Sequence, residues 1–138
     1  MSLKKIFPLF LLTFFICFAV QARIKLEVVF AHKLGIDNSM VLESELHSIE
    51  EMFESESVEL TMQEGLSLNL SADFVQREKD YGPSPFIRVE GIIYDSSGNQ
   101  IKRLDSEETI FRIGETKTLS QSTEEGRKIE LTITPTVY

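Results

Sequence analysis

The chain of 138 residues contains one cysteine, no tryptophan and two histidines. The cysteine, Cys17, lies inside the apolar N-terminal run Ile6 to Val20, so everything after that run is free of thiols. That remainder can form no disulfide and use no thiolate as nucleophile or metal ligand, and its stability has to come from burial of apolar surface. With only Tyr81, Tyr94 and Tyr138 beside the missing tryptophan, there is little stacking surface for sugars or bases. A glycine-rich phosphate loop, a zinc-type spacing, a dinucleotide fingerprint and a nucleophile elbow around any serine are all absent from the sequence. His32 and His47 do not stand one helical turn apart, so their spacing predicts structural histidines and no metal centre. A Ser-His-acid triad has no support either. The expectation is a protein that is not an enzyme and carries no cofactor.

Basic residues are missing from one long segment. Between Leu34 and Gln76 there are ten Asp or Glu and no Lys or Arg. Beyond residue 22 the chain holds 12 basic against 22 acidic residues, a net −10, and this segment accounts for all of the excess. Such a stretch is either an acidic face for a basic partner or divalent cation, or a solvated face that keeps the protein soluble. Nucleic acid and anionic lipid would be repelled by it. Glu43, Glu45, Glu50, Glu51, Glu54 and Glu56 contain enough carboxylates for a glycosidase-like pair. Clustering along one segment is equally what an acidic strand edge gives, and such edges discourage aggregation.

What is present at the N-terminus reads as an export leader. Lys4 and Lys5 precede the almost wholly apolar run of 15 residues Ile6 to Val20, and Val20-Gln21-Ala22 offers small residues for cleavage after Ala22. The run is short against the roughly 20 residues of a spanning helix. Residues 1–22 are therefore read as a signal peptide and residues 23–138 as one domain without a membrane span. The protein is expected in the periplasm or outside the cell, and the lack of disulfides fits a bacterial periplasm.

Period-two alternation dominates the remainder. Ile24, Leu26, Val28 and Phe30 mark one strand, and Phe86 to Tyr94 marks another. Ser57 to Met62, Gln63-Glu64-Gly65 and Leu66 to Phe74 read as a hairpin, with Gly65 at a position of positive φ. Asp95 to Asn99 turns the chain again around Gly98. A calcium loop on Asp95, Ser97 and Asn99 lacks its further acidic ligands. Arg127 to Thr134 alternates once more, and Pro135 is expected to end it. Met40 to Phe53 is ambiguous, because Leu42, Leu46, Ile49 and Phe53 recur at helical spacing.

An internal repeat favours extended structure there. At a spacing of 61, Ile49 falls on Ile110, Glu64-Gly65 on Glu125-Gly126, Leu68 on Ile129 and Leu70 on Leu131. Ile24-Lys25-Leu26-Glu27 matches Ile87-Arg88-Val89-Glu90 at a spacing of 63. The expected fold is an all-β antiparallel sandwich of about eight strands in two similar halves, 23–76 and 86–138, joined by a loop at 77–85.

Gly114-Glu115 and the run Gly126-Arg127-Lys128-Ile129-Glu130-Leu131-Thr132-Ile133-Thr134-Pro135 resemble the β-domain of bacterial secretins of type II and III secretion, and related small periplasmic proteins. The resemblance covers about the last 50 residues well and the first half faintly. It implies a role in the cell envelope, although the chain is too short for a channel-forming subunit and lacks the upstream ring-building domains. The expected function is a non-catalytic binding or assembly module meeting a protein partner, through a strand edge or through the loop with Tyr81, Pro83 and Pro85. Glu50, Glu51, Glu54 and Glu56 are the acidic candidates for that contact. The alternative is a metal-binding or hydrolytic domain using the acidic segment 43–59, and a third reading is an inhibitor or secreted effector.

Overall fold

The computed structural model describes residues 23–36, 38–75, 86–123 and 126–138. Residues 1–22, expected to be a signal peptide, and Tyr81, Pro83 and Pro85, expected in a binding loop, lie outside the described residues.

Among the described residues nine strands form in chain order: β1 Ile24–Ile36, β2 Ser39–Met52, β3 Ser57–Thr61, β4 Ser67–Phe74, β5 Phe86–Tyr94, β6 Gln100–Leu104, β7 Ile110–Arg112, β8 Lys117–Ser122 and β9 Arg127–Val137. A 3-10 turn, Glu107–Thr109, precedes β7. All pairings are antiparallel. One sheet runs β2-β1-β9-β8; the other runs β3-β4-β5-β6, with β7 continuing beside β5 where β6 stops. The alternation seen in the sequence supplies one apolar face per sheet, and the two faces close on each other. Phe30, Leu26, Ile129, Leu131 and Ile133 meet Leu68, Leu70, Ile87, Val89 and Phe111 in one core.

The strand orders are related. Exchanging β1 with β5, β2 with β6 and β7, β3 with β8 and β4 with β9 turns the first sheet into the second. The repeat register agrees, since Gly65 and Gly126 both have positive φ, 98° and 72°. Only the residues without a Cβ take that conformation cheaply, so each half preserves a glycine where its hairpin turns.

Met40 to Met52 is strand, as part of β2, despite the helical spacing, and Phe53 follows the strand's end. Thirteen cross-strand partners on β1 hold it extended, from Ile24 opposite Met52 to Ile36 opposite Ser39. The supposed helical stripe is thereby split: Leu46 packs on the core while Leu42 and Ile49 are exposed.

One sequence expectation is corrected. Pro135 does not end the final strand, which continues to Val137. Pro135 lies opposite Leu26 of β1, but β8 has already stopped, its first pair being Lys117 with Ile133. The carbonyl of Pro135 points to the β8 side, where it accepts from the Gly114 N–H at 2.7 Å. Its ring nitrogen points the same way, so the missing N–H removes no ladder bond.

No helix among the described residues is long and apolar enough to cross a membrane.

Candidate functional site

Two features stand out, and β2 takes part in both. The first is its outer edge, which pairs with no strand among the described residues. β2 is the outermost strand of its sheet and, at 14 residues, is longer than the edge strands β3, β6, β7 and β8. Its hairpin end is apolar and open, with Ile36, Met40, Val41 and Leu42 each exposed, and Ile49 reaches 60% exposure further along. Glu43, Glu45, Glu50 and Glu51 provide its charge, and no Lys or Arg lies between Ser39 and Met52.

The second feature starts from an irregularity in the ladder. Ser44 pairs with His32 and Leu42 with Lys33, leaving Glu43 as an extra residue in a β-bulge. A bulge interrupts the in-out alternation and re-aims a side chain. Here it brings Glu43 beside His32, with Glu43 Oε2 3.4 Å from His32 Nδ1. The turn between β3 and β4 comes in from the other sheet and sets Glu64 Oε1 3.2 Å from the same nitrogen. That turn is fixed by the Met62 N–H donating to Leu66 at 2.8 Å and the Gly65 N–H donating to Met62 at 3.0 Å. A Cβ on Gly65 would stand 2.8 Å from the Ser96 Cβ, so the absence of a side chain lets the two turns meet.

His32 is only 9% exposed, whereas both glutamates reach solvent. Around them, the Ser44 hydroxyl donates to Glu64 Oε1, and the Arg127 Nε donates to Glu43 Oε2 at 3.3 Å. Asp95 and Ser96 complete the rim of the same depression. Asp95 is committed elsewhere. Its Oδ1 accepts the N–H groups of Asn99 and Ser97 at 2.8 and 2.9 Å, and these bonds, led by that of Asn99, hold its carboxyl below the ordinary value. This Asx turn accounts for the Asp95, Ser97 and Asn99 pattern as turn chemistry.

The acidic residues expected to meet a partner do not converge. Glu50 is half-buried and accepts from the Ser48 hydroxyl at 2.6 Å. Glu51 is exposed on the outer face of β2. Glu54 Oε1 accepts the Phe74 N–H at 2.8 Å, tying the turn after β2 to the end of β4, while Glu56 is exposed in that turn. His47 is exposed and 2.6 Å from Glu45 on its own strand. The partners of His32 lie 11 and 32 positions along the chain and arrive through a bulge and a turn, so no local spacing announces their meeting. The alternating pattern placed His32 on the inner face of β1, and that was the available signal.

No family model, curated protein or solved structure matches this chain.

Proposed function

We propose that this is an exported, non-catalytic binding module of the bacterial cell envelope that takes up an extended, basic segment of a protein partner at the edge of β2. The observation that carries the reading is the ladder side, free among the described residues, of a 14-residue strand whose hairpin end exposes Ile36, Met40, Val41 and Leu42. Strand addition uses such an edge: the backbone supplies affinity, and alternate side chains supply specificity. Long unpaired edges also invite self-association unless charge opposes it. Two copies of β2 placed edge to edge would set glutamates against glutamates, so the charge favours a basic strand over a second copy of this chain. Export rests on the leader-like residues 1–22.

The test is a titration of the isotope-labelled protein with an extended peptide of alternating Lys and Val. Expected are shifts and new exchange protection in the amides of Ser39–Met52, weakening with added salt. Peptide-induced shifts confined to β8, or none at millimolar peptide, would refute the reading.

A further inference from the structure

We propose that His32, Glu43 and Glu64 form a binding site for a zinc ion that staples the two sheets together at one end of the sandwich. The site uses residues of the acidic segment but stands independently of any partner at the β2 edge.

The donor set and its dimensions suit the ion. Zinc accepts one imidazole nitrogen and carboxylate oxygens at about 2.0–2.2 Å, and ligands of a tetrahedral zinc lie about 3.4 Å apart. The His32 Nδ1 is 3.4 Å from one carboxylate oxygen and 3.2 Å from the other, and all three ligand atoms lie within 4.8 Å of one another. Small rotations of the two exposed glutamates close the remaining gap, while the buried imidazole stays fixed in the sheet. Calcium and magnesium prefer all-oxygen sites, so a nitrogen at the centre selects against them. Three protein ligands leave a fourth position open to the depression, where water can bind.

The surroundings support the assignment. Glu43 reaches His32 through the bulge, a device that breaks an otherwise continuous ladder from Ile24 to Ile36. The Ser44 hydroxyl orients Glu64, the kind of outer hydrogen bond that positions a ligating carboxylate. The site also falls where the two halves meet. At the repeat spacings of 63 and 61, His32 corresponds to Asp95 and Leu66 to Arg127, and all four line the same depression. One half contributes the three donors, while the other contributes Arg127, whose guanidinium shares Glu43 Oε2 and must yield that oxygen to the metal.

The experiment is a calorimetric titration with zinc chloride, run beside thermal melting and nitrogen-detected spectra of the histidine rings. Zinc at about a hundredfold excess over its dissociation constant is expected to raise Tm by about 10 °C. It should also shift the ring nitrogens of His32 and leave those of His47 in place. Glu43→Gln and Glu64→Gln each keep a polar side chain at an exposed position and should weaken binding about tenfold or more, whereas His47→Ala should leave it unchanged. Absence of zinc-dependent heat and of any Tm change overturns the proposal. So does zinc binding that survives in the Glu43→Gln, Glu64→Gln double variant, or stabilisation by calcium equal to that by zinc.

Discussion

β2 and the β6–β7 pair occupy corresponding edges of the two sheets, yet they are held in different ways. β2 runs over 14 residues and pairs with the whole length of β1, with one bulge at Glu43. Its inward side chains are mostly small or polar, among them Ser44, Ser48 and Glu50, and Met52 at its end is the fully buried one. The opposite edge is broken between Leu104 and Ile110 by the 3-10 turn, but it drives Leu104, Thr109 and Phe111 into the interior. There Ser106 caps the turn, accepting from the Glu108 N–H, while its carbonyl accepts from the Thr109 hydroxyl. One edge is thus anchored by side chains and interrupted in its ladder. The other keeps its ladder apart from the one bulge at Glu43 and leaves most of its side chains exposed or half-buried, which is the arrangement an additional strand needs.

The sharpest test of this contrast is a pair of truncations. Phe111→Ala, at a fully buried ring, should destabilise by about 3–5 kcal/mol, whereas Leu46→Ala on half-buried β2 should cost about 1 kcal/mol. Urea unfolding measures both, and equal losses would mean that the two edges are anchored alike.

Next in size is Gly91→Ala. Val28 stands at the corresponding position of β1 and packs in the core, but at Gly91 a Cβ would sit 2.7 Å from the Asn69 carbonyl oxygen and from Leu70 Cδ2. Overpacking there should destabilise by about 1–3 kcal/mol, and a neutral result would show that the two halves have the same space at this point.

A smaller effect concerns charge at the centre against charge at the edge. Glu130 on β9 accepts from Lys33 of β1 at 2.7 Å and lies 3.4 Å from Lys128, and the bond from Lys33 is the main reason its carboxyl sits below the usual 4.5. A depressed folded value contributes stability that is present above the unfolded pKa and is lost as pH falls through the folded one. The Tm advantage of the parent over Glu130→Gln should therefore be constant near neutrality and shrink below about pH 4.5. The Glu45 and His47 pair lies within β2 itself and joins no neighbouring strand. Smallest of all, Val41→Lys with Leu42→Lys should change stability by less than about 0.5 kcal/mol, since both side chains are nearly half exposed. The same change should abolish uptake of the Lys-Val peptide.

Much of the sandwich was legible before folding because its information is local. Alternation at Ile24 to Phe30, Leu66 to Ala72 and Ile129 to Ile133 specifies which side of each strand is buried, and Gly65 and Gly98 specify two turns. The repeat register also resolved Met40 to Phe53, where periodicity alone pointed to a helix. Pro135 was misread because the cost of a proline depends on which neighbour its nitrogen faces, and a strand's neighbours are set by the whole sheet.

The chain by itself determined the apolar faces, the turns and the pseudo-symmetric halves, since each follows from period and residue type within short windows. Only tertiary structure decided that β2 is an open edge and that His32, Glu43 and Glu64 meet. Strand order is a global property, and that cluster depends on one unpaired residue in a ladder and on a turn delivered from the opposite sheet.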